Sequence, residues 1–128
     1  MPKNILLSTL LLAFTLSCNY TQKVRDGQTA YEVMQFDVAA TMLQKEYKKA
    51  KSRIEKGKIA YLIGDSYKRL NKNEQSINWF KIAYDNQYGV DALKEYAFGL
   101  KETEQYLDAK QAFKDLGIEI GSPYEYRR

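Results

Sequence analysis

Apolar residues recur along this chain at three- and four-residue steps, and short polar or turn-forming stretches interrupt them at regular intervals. That period is the mark of amphipathic helices, and six such segments follow one another behind the first two dozen residues. From Val24 to Gln35 the pattern is weakest, with Val24, Gly27, Ala30 and Tyr31 facing inward. Asp37 is placed to cap the next helix, whose inner positions are Ala39, Ala40, Leu43, Glu46 and Tyr47. A highly charged stretch from Lys48 to Lys58 then carries the chain to a broad stripe of Ile59, Leu62, Ile63, Tyr67 and Leu70. Asn71-Lys72-Asn73 is the turn, with Asn73 the expected N-cap of a returning helix through Ile77, Phe80, Ala83 and Tyr84. Gly89 lies where a left-handed residue ends that helix. Val90 to Lys101 and Tyr106 to Leu116 repeat the arrangement, with Gly117 just beyond the end. No run alternates with the period of two that strands require, so the fold class is all-α.

The last two pairs also match residue for residue. Gly64, Tyr67, Phe80 and Ala83 in one pair correspond to Ala97, Leu100, Phe113 and Leu116 in the next, where Tyr106 and Ala109 stand at the positions of Asn73 and Ser76. The step is roughly 33–34 residues, the length of one helical hairpin repeat. The spacing has a physical reason. Two helices joined by a tight turn need small residues where their backbones cross, which Gly64, Ala97, Ala83 and Ala109 supply. Large rings at Tyr67, Phe80, Tyr106 and Phe113 fill the space between pairs. Eleven tyrosines fit this use, each with its ring inside and its hydroxyl at the edge.

The front of the chain is of another kind. Lys3 precedes an almost unbroken apolar run from Ile5 to Leu16, the layout of a signal peptide over residues 1–17. That run is shorter than the roughly 20 residues a spanning helix needs. Cys18 follows directly and is the single cysteine, which excludes an internal disulfide and a cysteine-based zinc site. Thr15-Leu16-Ser17-Cys18 resembles a bacterial lipobox, implying that Cys18 is the lipid-attachment residue and 18–23 a polar tether. The alternative is an ordinary secretory signal with an incidental cysteine. The formal charge of +4 is too small to imply nucleic acid. The absence of histidine removes imidazole acid–base and metal chemistry. At the other end, Ser122-Pro123-Tyr124-Glu125 reads as a capping box with proline in the first turn. Residues 122–128 are therefore expected to start a further helix that the sequence cuts short.

Tyr47-Lys48-Lys49-Ala50-Lys51, Ile63-Gly64-Asp65-Ser66-Tyr67-Lys68 and Asn78-Trp79-Phe80-Lys81-Ile82-Ala83 resemble tetratricopeptide repeats. The resemblance implies a short solenoid of about three antiparallel helix pairs over residues 24–121. More narrowly, the chain is similar to the N-terminal repeats of Bacteroidota OmpA-family lipoproteins, some of which serve type IX secretion and gliding. There a lipidated cysteine precedes the repeats, a β-propeller and a peptidoglycan-binding domain. Neither later domain lies within these 128 residues, so wall binding is assigned to no residue here. What the resemblance implies is a protein–protein interaction scaffold, lipid-anchored on the periplasmic face of the outer membrane. Its partner would be another protein or its own downstream domain, with no nucleic acid, cofactor, metal or catalytic residue. In such arrays the first helix of each pair lines the binding groove. On this alignment the groove residues are Lys58, Tyr61, Leu62, Asp65, Lys68 and Arg69 from one pair. Lys94, Glu95, Phe98, Lys101 and Glu102 come from the next, and Lys68 and Arg69 could clamp an acidic segment.

Other features have plainer readings. Lys45, Lys48, Lys49, Lys51, Arg53, Lys56 and Lys58 could lie on anionic head groups, but they occur all around the helix, so a solvated face is the preferred reading. Trp79 is read as inter-pair packing. Glu102/Glu104 and Asp108/Asp115 are read as exposed helix charges rather than glycosidase carboxylates. Two further alternatives remain: an accessory or carbohydrate-binding segment of a larger exported enzyme, and a truncated product without function.

Overall fold

The computed structural model describes residues 23–117. The signal segment, Cys18 and residues 122–128 lie outside the described residues. Six helices and no strand occur among the described residues: α1 (Gly27–Glu32), α2 (Phe36–Lys49), α3 (Arg53–Arg69), α4 (Asn73–Asp85), α5 (Val90–Glu102) and α6 (Tyr106–Asp115). Each helix packs on the one before it. Gly57 lies against Asn86 at the end of α4, while Gly64 lies against Phe80 nearer its start. Contacts that converge toward the turn in this way make α3 and α4 an antiparallel hairpin.

The turns are built alike. Val33–Gln35, Leu70–Lys72 and Thr103–Gln105 each place one residue in the left-handed region: Met34 (φ 61°), Asn71 (φ 56°) and Glu104 (φ 62°). In each, the residue after it donates its N–H back across the turn: Gln35 to Ala30 O, Lys72 to Tyr67 O and Gln105 to Leu100 O, all at 2.9 Å. This is the Schellman closure, which satisfies helix-end carbonyls with backbone donors. It also explains two departures from the sequence reading. The N-caps of α2 and α4 are Gln35 and Lys72, neither with a capping side chain, rather than Asp37 and Asn73. In a three-residue connection the N-cap residue is already held as the last member of the preceding Schellman turn. Asp37 and Glu74 sit instead in the first turns, where a negative charge complements the helix dipole.

The α4–α5 connection differs from expectation too. Gln87 (φ 66°), not Gly89, is the left-handed residue that ends α4. Gly89 is the N-cap of α5 at φ 114°, ψ −169°, a region essentially closed to residues with a Cβ. The charged stretch 48–58 is largely helical as well. Helix α2 stops at Lys49, and Ser52 starts α3 by accepting the Glu55 N–H at 3.1 Å. Helix α3 is thus 17 residues long against 13 for α5. That extra turn sets the left-handed turn residues Met34 and Asn71 further apart along the chain than Asn71 and Glu104.

The core runs through the stack in three linked groups. Ala30, Ala39, Leu43 and Ile63 join α1, α2 and α3. Ala60, Ala83 and Ala92 form a narrow waist. Ile77, Leu93, Ala97, Leu100, Ala109, Ala112 and Phe113 join α4, α5 and α6. Tyr47 and Trp79 pack against both the first group and the waist, with rings edge-to-face at 5.2 Å. Trp79 therefore belongs to the packing between pairs, as read from the sequence.

At the α3–α4 crossing, a Cβ on Gly64 would come within 2.9 Å of the Phe80 ring. Ser76 is buried there and donates its hydroxyl to Gly64 O at 2.9 Å. A Cβ on Gly57 would meet the Asn86 carbonyl oxygen at 2.8 Å, and backbone cannot swing away as a side chain can. Gly57→Ala is expected to destabilise the fold by about 1–3 kcal/mol despite the better helix propensity of alanine. Glu104→Gly is expected to stabilise it by about 0.5–1 kcal/mol, because relief of the left-handed strain exceeds the entropy glycine adds to the unfolded chain. Urea unfolding of both variants checks the opposite signs.

Candidate functional site

The first helices of the three pairs, α1, α3 and α5, share a surface. Positions 58, 61, 65, 68 and 69 follow one another at helical steps on α3, as do 94, 95, 98, 101 and 102 on α5. Two polar links tie this surface together. Tyr31 Oη on α1 donates to Asp65 Oδ2 at 2.6 Å, and Lys68 Nζ reaches Glu95 Oε2 at 2.5 Å. Asp65 also accepts from Arg69 Nε at 3.2 Å, and the Arg69 guanidinium lies 5.7 Å from the Phe36 ring centre. The sequence-predicted clamp residues Lys68 and Arg69 are thus each paired with a carboxylate of their own chain. Both cations stay exposed, and surface pairs of this kind are worth at most about 1 kcal/mol, so a ligand carboxylate can exchange into them.

Aromatic groups occupy the spaces between the polar ones. Tyr61 stacks on Tyr88 with ring centres 4.3 Å apart, and packs tilted against Phe80 at 5.2 Å. Phe98 is 40% exposed and rests edge-on against Phe113 at 5.1 Å. Between α3, α4 and α5 a cleft of about 10 Å³ is lined by Lys68, Ser76, Phe80, Glu95, Phe98 and Glu102. It has room for about one water. What this surface offers chemically is recognition: exchangeable ion pairs flanked by rings that a partner can cover.

Lys58, Lys94 and Glu102 are exposed along the same helices, and Lys101 is partly covered. Leu62 departs from the expected groove. It packs into the group formed by Ala30, Ala39, Leu43 and Ile63, because residue 62 is turned toward α1 and α2. Tyr31, Phe36 and Tyr88 belong to the surface and were not among the groove residues read from the sequence. Tyr31 had a signal: it falls with Ala30 among the inward positions of the first segment, and its hydroxyl reaches Asp65 on α3. Tyr88 had none, since its position depends on how the α4–α5 turn folds back. Among the described residues no three of His, Cys, Asp and Glu are grouped to hold a metal ion, and no helix is long and apolar enough to cross a membrane.

Burial, with Asp65 adding to it, pushes the Tyr31 phenol up to about 12. Burial also pushes Tyr61 up to about 12, reinforced by Glu95, Tyr88, Asp65 and Asp91. Comparison with protein-family models, curated proteins and solved structures returns no match.

The tyrosine shifts give a pH dependence of known sign. A phenol whose folded-state pKa exceeds its unfolded value of 10.0 favours the fold below that value, and this contribution is lost as pH rises toward about 12. Stability is therefore expected to fall between these limits, and Tyr31→Phe and Tyr61→Phe should each flatten the fall. Urea midpoints across the alkaline range, read beside tyrosinate absorbance, provide the check.

Proposed function

We propose that this chain is a tetratricopeptide-repeat interaction scaffold of a bacterial cell envelope, held on the periplasmic face of the outer membrane by lipid on Cys18. Its helix pairs would form the N-terminal part of an OmpA-like protein. Its role would be to bind a protein partner or a downstream domain, not to catalyse. The observation that carries this reading is the continuous surface of α1, α3 and α5, joined by the Tyr31–Asp65 and Lys68–Glu95 links. A surface built from the same helix of each successive pair suits an extended or helical ligand, which can contact every pair in turn. Further support comes from the left-handed turn residues Asn71 and Glu104, one repeat apart, and from small residues at the crossings.

Site-specific photo-crosslinking in the native envelope tests the reading. A crosslinker at Lys58 or Lys94 is expected to trap one defined partner that a crosslinker at Lys110, on α6, does not trap. Phe98→Ala should weaken the yield at least several-fold. Equal adducts from all three positions, or none, would contradict a dedicated surface. Globomycin, which blocks lipoprotein processing, should shift the precursor's mobility; an unchanged band would remove the lipid anchor from the proposal.

A further inference from the structure

The antiparallel stacking sorts the charges by end. Gly27 N–H donates to Glu46 Oε1 at 2.8 Å, so the start of α1 lies beside the end of α2. Three residues later α3 begins, where Arg53 Nη2 donates to the Asp85 carbonyl at the end of α4. Lys23, the α2–α3 connection and the α4–α5 connection therefore share one end of the stack. Its exposed cations include Lys23, Arg25, Lys48, Lys49, Lys51 and Arg53. Most acids at this end are already engaged. Asp26 caps α1, Glu46 accepts from Gly27, Asp85 pairs with Lys81 and Asp115 accepts from Gln111. Hydrogen bonds from uncharged donors leave Asp26, Glu46 and Asp115 charged, and with Glu55 and Asp91 they offset part of the basic charge. The cations, joined here by Lys56 and Lys114, remain in excess. The opposite end carries Glu32, Asp37, Glu74, Glu102, Glu104 and Asp108 against Lys68, Arg69, Lys72 and Lys101.

Two apolar side chains complete the basic end. Ile54, on the first turn of α3, is 62% exposed, and Val90, the first residue of α5, is 63% exposed. The chain also enters the fold here, at Lys23. From Cys18 to Lys23 it spans at most about 17 Å when fully extended.

We infer that the end of the stack formed by the α2–α3 and α4–α5 connections docks on an anionic lipid bilayer surface. The inference rests on the proposed anchor only for the membrane's identity; the charges and the entry point stand without it. Lys48, Lys49 and Lys51 supply the long-range attraction, and Ile54 and Val90 contact the interface. Docked this way, the stack stands on the membrane with its acidic end outward. The surface of α1, α3 and α5 then runs along its side, clear of the lipid and open to a partner.

The test is the distribution of the full chain between phosphatidylcholine vesicles and vesicles that also contain phosphatidylglycerol. Any contribution of the apolar N-terminal segment is common to both kinds, so the preference between them reads the docking surface. The chain should prefer the anionic vesicles at low salt and lose the preference at high salt. Lys48→Gln, Lys49→Gln and Lys51→Gln should each reduce it about fivefold, and the triple variant about a hundredfold. Lys72→Gln, at the opposite end, and Lys110→Gln, midway along α6, should leave it unchanged. An even distribution, a triple variant that behaves like the parent, or equal losses from the two control variants would each overturn the inference. If Cys18 proves unacylated while the preference persists, the anchor fails and this inference stands; the reverse result removes the inference and leaves the anchor.

Discussion

Gly64 lies against the ring of Phe80, and the buried Ser76 hydroxyl closes on the Gly64 carbonyl beside it. Without a Cβ at residue 64 the backbones of α3 and α4 approach closely enough for the phenyl ring to be buried completely. Losing that ring to alanine would cost about 3–5 kcal/mol, a large share of the stability of a domain this size. The same close approach sets the tilt at which α4 leaves α3, and so where α5 can lie. Gly57 repeats the contact at the far end of the hairpin and Gly99 repeats it between α4 and α5, against Ile77. The polar links along α1, α3 and α5 form only because these apolar contacts hold neighbouring pairs in register.

Register matters more than strength for the candidate surface. None of its ion pairs is buried, and none contributes much to folding. Their value lies in holding side chains ready in one place. Arg69 is kept against Phe36 by Asp65, whose charge also raises the guanidinium pKa further. An incoming carboxylate would find the cation already positioned, and an incoming base would find Asp65 and Glu95. Recognition of either sign thus needs only exchange of partners, with little ordering of side chains.

Much of this arrangement could be read from the sequence, and the exceptions have physical causes. The long amphipathic stripes of α3 to α6, the small residues at Gly64, Ala83, Ala97 and Ala109, and the rings at Phe80 and Phe113 follow directly from periodicity. All lie buried at or beside the crossings. Helix starts were less legible. Asp37 and Asn73 look like caps, but backbone Schellman closures had already fixed the turns. The start of α3 was hidden by the charges around it, although Ser52-Arg53-Ile54-Glu55 carries the spacing of a capping box. Tyr88 could not be placed, because its stacking on Tyr61 depends on the left-handed conformation of Gln87, a residue with no particular turn preference.

The account stands on helix pairs nested by close approach at Gly64 and joined along α1, α3 and α5. Proton NMR of the full chain in detergent micelles measures this directly. The Gly64 Hα protons should be shifted by the Phe80 ring current and show strong Overhauser contacts to it, with Tyr31 ring protons in contact with the side chain of Asp65. Unshifted Gly64 protons without contacts to Phe80, or contacts linking α1 to α4 instead of α3, would contradict it.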